Sequence, residues 1–209
     1  IGTRKGKTAE ESIRCNFGMP GPEGYRKALR LMKQAEKFRR PVFTLIDTSG
    51  AYPGLEAEAR GQGEAIARNL MEMSRLMVPV IAVITGEGNS GGALALGVAD
   101  RVLMLENSVY AILSPEGFAS ILWRDAGRHE EACELMKLTA ADLLALGVAD
   151  DVVPEPEGGA HLAPERTFRE LDRCLNRHLA ALLKESGASL AEKRYQKFRK
   201  MGGAPKEEP

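Results

Sequence analysis

The stretch Gly86-Glu87-Gly88-Asn89-Ser90-Gly91-Gly92-Ala93-Leu94-Ala95-Leu96-Gly97 decides the predicted fold of this chain. It follows the apolar, β-branched run Pro79-Val80-Ile81-Ala82-Val83-Ile84-Thr85 and opens a run of small residues. This order predicts a strand, a glycine turn and a helix. The first N–H groups of a helix lack an intrahelical acceptor, and glycines there let an oxygen atom approach closely. The stretch therefore predicts a site for an anion or a developing oxyanion.

A similar passage comes earlier in the chain. Residues 42–46 predict a short apolar strand, and residues 47–54 form a loop rich in turn-forming residues. Strands alternating with helices predict a layered α/β fold with parallel strands and right-handed crossovers. Because the carboxyl ends of parallel strands meet at one edge of a sheet, we expect both glycine loops to lie there, where ligands bind in open α/β sheets.

Hydrophobic periodicity supplies the other elements. It predicts a helical turn near residues 9–13 and strands over residues 42–46, 78–85, 101–105, 109–113 and 148–153. It predicts helices over residues 25–39, 56–77, 118–125, 130–137, 140–146, 163–184 and 190–201, and one from the end of the glycine turn to about residue 99.

The first residues lack an initiator methionine and are interpreted as the end of a strand, so we expect an N-terminal part to be missing. Residues 202–209 predict a frayed tail.

The composition is ordinary for a folded domain, with 44% hydrophobic and 28% charged residues among 209. Lys and Arg together number 29, as do Asp and Glu, so the net charge indicates neither nucleic acid nor a membrane surface. The spacing of Cys15, Cys133 and Cys174 favours neither a disulfide framework nor a zinc cluster, and a reducing cytosol fits best. The sequence has no long apolar run and no signal-peptide pattern.

The glycine stretch leaves three chemical interpretations. Its G-x-G-x-x-G spacing is weak evidence for a dinucleotide site, since the expected acidic residue lacks its strand context. Ser90 could be a nucleophile, but it needs a base, and the three histidines fall in polar segments where surface positions are expected: His129, His161 and His178. The third interpretation is an enzyme that stabilises an enolate-like oxyanion of a thioester on the backbone amides of Gly91 and Gly92.

Several motifs in the same order then identify a family resemblance. They are Asn16-Phe17-Gly18-Met19-Pro20, Pro22-Glu23-Gly24-Tyr25-Arg26-Lys27-Ala28-Leu29-Arg30, Asp47-Thr48 with Gly50-Ala51-Tyr52-Pro53-Gly54, Arg60-Gly61-Gln62, Glu64-Ala65-Ile66-Ala67-Arg68-Asn69-Leu70, Ser90-Gly91-Gly92-Ala93-Leu94-Ala95, and Ser114-Pro115-Glu116-Gly117 followed by Ala119-Ser120-Ile121-Leu122-Trp123. Together they resemble the α subunits of bacterial acetyl-CoA carboxylase carboxyltransferases over most of residues 2–201.

The resemblance implies an α/β, ClpP/crotonase-like fold of stacked ββα superhelical units, covering residues 1–188, with a basic C-terminal helix and tail over residues 189–209. It implies transfer of a carboxyl group from carboxybiotin, carried on biotin carboxyl carrier protein, to acetyl-CoA, giving malonyl-CoA for fatty acid synthesis in the cytoplasm. It also implies a carboxyltransferase β subunit, an α2β2 assembly with the active site between the subunits, and no metal in this chain.

The site residues follow from the same resemblance. Gly91 and Gly92 match the oxyanion glycines, for which the biotin oxygen is the favoured ligand. Substrate-binding positions are expected in three loops: Gly50, Ala51 and Tyr52; Gly88, Asn89 and Ser90; and Ser114, Pro115, Glu116 and Gly117. Ser49 stands where the family usually has Pro, and Asn89 where it usually has Gly, but neither change removes an amide donor. Two alternatives stay open: a serine peptidase of the same superfold with Ser90 as nucleophile, and a non-catalytic assembly subunit.

Overall fold

The computed structural model describes residues 1–202, so most of the predicted tail lies outside the described residues. The strands are β1 (Val42–Thr48), β2 (Val80–Asn89), β3 (Arg101–Leu105), β4 (Val109–Ala111) and β5 (Asp151–Val153). The helices are α1 (Ala9–Arg14), α2 (Pro22–Lys37), α3 (Leu55–Ala59), α4 (Gln62–Arg75), α5 (Ser90–Gly97), α6 (Pro115–Trp123), α7 (His129–Met136), α8 (Ala140–Ala145), α9 (Pro164–Leu182) and α10 (Gly187–Lys200). Short 3₁₀ turns occupy Asn16–Gly18 and Ala126–Arg128.

The sheet is parallel, with the strand order β1-β2-β3-β5. The first half of β2 pairs with β1 and β3, whereas its last residues pair with the short strand β4, with Gly88 opposite Tyr110. The first residues of the chain lie along β1, where Gly2 forms a parallel bridge with Leu45. The predicted parallel α/β architecture, and the strand-like start of the chain, are therefore confirmed.

Hydrophobic side chains cover both faces of this sheet. β2 alternates between them, since Val80, Ala82 and Ile84 join one cluster while Ile81 and Val83 join the other. The first cluster, here called the α5 face, also contains Met32 of α2, Met73 of α4 and Ala93 and Ala95 of α5. The second, here called the α9 face, contains Cys174 and Leu182 of α9 and Leu190 of α10. The continuous apolar run of β2 is explained by burial on both sides.

The prediction of one helix over residues 56–77 is wrong. The segment forms two helices, α3 and α4, because Gly61 adopts a left-handed conformation with φ +82° between them. Only glycine takes that conformation without a steric penalty, so Gly61 lets the chain end one helix and begin the next.

The predicted glycine turn before Ser90 is also corrected. β2 continues through Gly86, Glu87 and Gly88 to Asn89, and α5 begins at the next residue. A Cβ on Gly88 would lie 3.0 Å from the Tyr110 ring and 3.1 Å from Ile84, so the glycine permits close packing inside a strand. The strand predicted over residues 148–153 is shorter, starting at Asp151.

A buried ion pair between Arg194 and Asp100 holds the C-terminal helix α10 against the sheet. The Arg194 guanidinium donates to both carboxylate oxygens of Asp100, at 3.0 and 2.8 Å, and to the carbonyls of Met73, Leu76 and Val78. The proposed division of the chain at residue 188 stays a prediction. Within residues 1–202, no helix combines the length and apolar character needed to cross a membrane.

Candidate functional site

The loops that follow β1 and β2 meet at Gly92. A Cβ placed on Gly92 would lie 2.2 Å from the amide nitrogen of Ala51 and 2.5 Å from the carbonyl carbon of Gly50. Such distances leave no room for any side chain, so Gly92 is required for the contact between α5 and the first loop. The structure thus brings together two of the predicted site segments, as expected from their places after parallel strands.

Side chains around the first loop hold its backbone in place. The Thr48 hydroxyl donates to the Gly50 carbonyl at 2.7 Å and accepts from the Gly50 amide at 3.1 Å. The Gln62 amide donates to the carbonyls of Pro20 and Tyr52, and the Tyr52 amide donates to Pro20. Gly50 has φ +144°, a conformation that favours glycine. The loop is therefore fixed before any ligand arrives.

Several backbone amides at this junction have no hydrogen-bond acceptor among residues 1–202. Within residues 1–202, the Ala51 amide has no hydrogen-bond acceptor, whereas the amides on either side of it, at Gly50 and Tyr52, are occupied. Among the side chains of residues 1–202, none caps α5, so the amides of its first turn, including Gly91 and Gly92, have no capping partner there. Donors fixed by folding can stabilise a negatively charged oxygen without reorganising.

A buried tyrosine orients the start of α5. The Tyr25 hydroxyl donates a 3.0 Å hydrogen bond to the carbonyl of Gly92. Burial raises the pKa of Tyr25, which keeps the phenol neutral and available as a donor. Tyr25 begins the helix predicted over residues 25–39, and it is 1% exposed.

Ser90 lies at the junction of β2 and α5 with φ +60°. The spacing of Gly88, Ser90 and Gly92 is that of a nucleophile elbow, in which a strained serine joins a strand to a helix. A nucleophile needs a base, however, and no hydrogen bond from the Ser90 hydroxyl is found in the described part of the chain. The histidines offer no base. His129 and His161 are exposed, and His178 lies on α9, across the sheet from α5.

An apolar pocket of about 470 Å³ opens beside Ser90 and Gly91. Its walls come from α5, β4, α8 and α10 and include Leu94, Tyr110, Ile112, Leu143, Phe198 and Met201. Burial raises the pKa of Tyr110 to about 12, so this phenol is neutral at physiological pH. A pocket with an apolar wall and amide donors at one end suits a ligand with an apolar body and an anionic oxygen.

The remaining predicted segment begins α6. The Ser114 hydroxyl caps this helix by accepting from the Gly117 amide at 3.2 Å. The Glu116 amide and the Ser114 hydroxyl hold the pKa of the exposed Glu116 carboxyl below its usual range. Ser114, Pro115, Glu116 and Gly117 do not line the pocket, although Ala111 and Ile112, just before them, do. Their substrate-binding role stays a prediction.

Lys5, Asp47 and Glu87 form an ion cluster between the N-terminal segment and the strands β1 and β2. The Lys5 ammonium lies 2.8 Å from an Asp47 carboxylate oxygen and 3.3 Å from Glu87, and the same Asp47 oxygen accepts from the Glu87 amide. A Cβ on Gly86 would lie 2.6 Å from that oxygen, so Gly86 makes room for the carboxylate. The cluster joins the N-terminal segment to β1 and β2.

Sequence reasoning missed several of these contributors. Thr48 lies inside a predicted loop motif, and its two hydrogen bonds to Gly50 had no separate signal. Phe198 and Tyr110 were placed in a helix and a strand, but their meeting across the pocket depends on the tertiary fold. The available signal was an aromatic residue in an unexpected place: Phe198 in a polar helix and Tyr110 in a short strand.

The chain matches, over residues 1–202, the family described as acetyl co-enzyme A carboxylase carboxyltransferase-like. An acetyl-coenzyme A carboxylase carboxyl transferase subunit alpha of Geobacillus kaustophilus is 59% identical over 97% of this chain. The chain spans 62% of the length of that relative.

Solved structures give the fold. A Pseudomonas malonate decarboxylase hetero-tetramer in complex with coenzyme A has a TM-score of 0.70 at 20% identity, covering 87% of this chain and 76% of that chain. An enoyl-CoA hydratase/isomerase from Marinobacter aquaeolei has a TM-score of 0.57 at 12% identity, covering 90% of this chain and 77% of that one. The predicted crotonase-like fold is confirmed. On the match over residues 1–202, this chain belongs to the acetyl co-enzyme A carboxylase carboxyltransferase-like family.

Proposed function

We propose that this chain is the α part of a carboxyltransferase that moves a carboxyl group from carboxybiotin to acetyl-CoA, giving malonyl-CoA for fatty acid synthesis. The proposal is supported by the family match and by the name of the 59% identical relative. The observation that supports a site is the start of α5, which no side chain of residues 1–202 caps: Ser90 and Gly91 line an apolar pocket there, and the next residue, Gly92, contacts Gly50 and Ala51.

The site fits a bound ring with an anionic oxygen. Bound carboxybiotin would supply the carboxyl group and, on losing it, a negatively charged ureido oxygen. The amides of Gly91 and Gly92 stabilise negative charge that develops on such an oxygen, and one donor of this kind is worth roughly 3 to 4 kcal/mol of barrier. The apolar wall around Leu94 and Tyr110 excludes water, which strengthens these hydrogen bonds.

We assign Gly91 and Gly92 to the catalytic oxyanion site and Gly50, Ala51, Tyr52, Gly88, Asn89, Ser90, Ser114, Pro115, Glu116 and Gly117 to substrate binding. The partners proposed are a carboxyltransferase β subunit in an α2β2 assembly, biotin carboxyl carrier protein and acetyl-CoA, in the cytoplasm. The name of the relative as a subunit alpha supports a β partner. The biotin is carried by the carrier protein, and no metal is assigned to this transfer.

A substitution at Gly91 tests the oxyanion assignment. Proline at this second helical residue removes one amide donor and also restricts the backbone of the preceding Ser90, and alanine is the matched control that keeps the donor. In the chain assembled with a β subunit, we expect the Gly91→Pro variant to lose roughly 100- to 1,000-fold in carboxyl transfer, and the Gly91→Ala variant to lose little. Equal activity of the two variants in intact complexes would defeat the assignment.

A second candidate, a serine peptidase, is favoured by the positive φ of Ser90 and its G-x-S-x-G spacing. A fluorophosphonate probe distinguishes the two. Labelling of Ser90, absent in a Ser90→Ala variant, would support the peptidase, whereas carboxyl transfer that survives Ser90→Ala without any labelling would exclude it. A non-catalytic assembly subunit would leave transfer unchanged in the Gly91→Pro complex.

A further inference from the structure

Three side chains with metal-binding atoms converge between β5 and α9, on the face of the sheet opposite α5. Cys174 and His178 lie four residues apart on α9, hence on one side of that helix, and Asp151 begins β5. One Asp151 carboxylate oxygen lies 2.8 Å from the His178 Nε2 and 3.3 Å from the Cys174 Sγ, and all three ligand atoms lie within 4.8 Å of one another.

We infer that Asp151, Cys174 and His178 form a binding site for one divalent transition-metal ion of the zinc class. Thiolate, imidazole and carboxylate are the three ligand types that such ions take, and a helix with ligands at positions i and i+4 is a suitable frame for two of them. The cysteine spacing gave no sign of this site, because only one of its ligands is a cysteine.

The geometry needs only a small adjustment to admit an ion. With bonds of about 2.0 to 2.3 Å at tetrahedral angles, the donor atoms would lie about 3.3 to 3.6 Å apart. The contact between His178 and Asp151 therefore opens by about 0.5 Å, while the Cys174 contact nearly fits. Metal binding releases the thiol proton to solvent, and the imidazole binds through Nε2 with its proton on Nδ1.

The cation that competes for this site is Arg177. Its guanidinium pairs with the same Asp151 oxygen, and its side chain is 65% exposed. It can turn outward into solvent when an ion takes its place, leaving the fourth coordination position to water. The carboxylate and the thiolate neutralise the divalent charge, so the occupied site carries no net charge of its own.

An occupied site would clamp α9 to the sheet. Cys174 belongs to the hydrophobic cluster of the α9 face. Asp151, the first residue of β5, pairs with Leu103 of the neighbouring strand β3. The ion is thus structural, and it lies on the side of the sheet opposite α5. This inference is independent of the proposed carboxyl transfer, which uses none of the three ligands.

Cobalt titration of the full chain tests the site. With protein purified without a histidine tag and stripped of metal, we expect one Co²⁺ per chain and a thiolate-to-cobalt charge-transfer band that Zn²⁺ abolishes. The Cys174→Ser variant should lose the band, and the His178→Gln variant should bind at least about 10-fold more weakly. The matched control Cys133→Ser, which changes an exposed cysteine of α7, should behave as the unchanged chain.

The Arg177→Gln variant gives a second measurement that does not depend on replacing a ligand. Removing the competing cation should tighten Co²⁺ binding several-fold. If the three side chains only form hydrogen bonds and ion pairs and bind no metal, neither the unchanged chain nor the Arg177→Gln variant should show a cobalt band. The inference is overturned if the folded chain shows no charge-transfer band, or if the band persists in Cys174→Ser and disappears in Cys133→Ser. If Cys174→Ser does not fold, the His178→Gln and Arg177→Gln titrations decide.

Discussion

The Tyr25 hydroxyl donates to the Gly92 carbonyl at 3.0 Å, and this bond joins α2 to the first turn of α5. The two residues are 67 positions apart, and both are buried. A carbonyl held from α2 fixes the direction of the peptide that follows Gly92, and with it the first turn whose amides face the candidate site. Tyr25 is accordingly a positioning residue.

Replacing this tyrosine tests its positioning role. Tyr25→Phe removes the donor and keeps the ring, so we expect a loss of about 0.5 to 1.5 kcal/mol in the free energy of unfolding. Urea denaturation measures it, with Tyr195→Phe, at an exposed tyrosine of α10, as the matched control. Equal stability of the two variants would contradict a structural contribution from the hydroxyl.

Replacement by alanine should lower the stability of the folded chain at Gly92 but not at Gly91. A Cβ on Gly92 meets the Ala51 nitrogen at 2.2 Å, so Gly92→Ala must displace the loop backbone and should lose about 1 to 3 kcal/mol or more. In the described part of the chain, a Cβ on Gly91 meets only Ile66, at 3.6 Å, and alanine favours helices, so Gly91→Ala should be neutral or gain up to about 1 kcal/mol. Thermal unfolding of both variants checks the sign, and equal shifts would contradict this geometry.

Local patterns in the sequence predicted much of the fold, and contacts between distant segments account for what was missed. The β-branched run of β2 and the small residues of α5 predicted a strand followed by a helix, since both signals are local, although the strand continues to Asn89. The break at Gly61 was missed because a glycine inside a helical pattern carries no local signal that it adopts a left-handed conformation. The strand character of Gly86 and Gly88 depends on the distant Asp47 and Tyr110, which fill the space left by the missing side chains.

The candidate site divides in the same way. Gly91 and Gly92 could be selected from the helix start alone, because unpaired amides at a helix N-terminus are a local consequence of the backbone. The contact of Gly92 with Ala51, and the pocket wall formed by Phe198, require the tertiary arrangement and had no signal in the spacing. The catalytic and binding roles of these residues stay predictions.

The Lys5 ammonium should titrate above its ordinary pKa. Partial burial lowers the pKa of Lys5, but the carboxylates of Asp47 and Glu87 outweigh burial and raise it above 10.5. Because the folded state binds this proton more tightly than the unfolded state, the resulting stability is fully present below pH 10.5. It is lost as the pH rises through the folded-state pKa.

An NMR titration of the lysine Cε resonances measures this shift. In Asp47→Asn one carboxylate charge is removed while burial remains, so the midpoint for Lys5 should move down. Glu10→Gln, at an exposed position of α1, is the matched control and should leave it in place. A Lys5 midpoint that does not respond to Asp47→Asn would show that the ion pair does not persist in solution.

The buried pair of Arg194 and Asp100 should dominate the stability of the C-terminal helix. Arg194→Leu would leave the Asp100 carboxylate without its partner and three backbone carbonyls without their donor, so we expect a loss of about 3 to 5 kcal/mol. Arg199→Leu makes the same chemical change on an exposed part of α10 and should alter stability by less than about 0.5 kcal/mol. Denaturant unfolding gives both values. Hydrogen exchange then locates the change, because the amides of α10, once the helix separates from the sheet, would lose protection before those of β2 do. Equal losses of stability in Arg194→Leu and Arg199→Leu would show that the ion pair does not hold the helix.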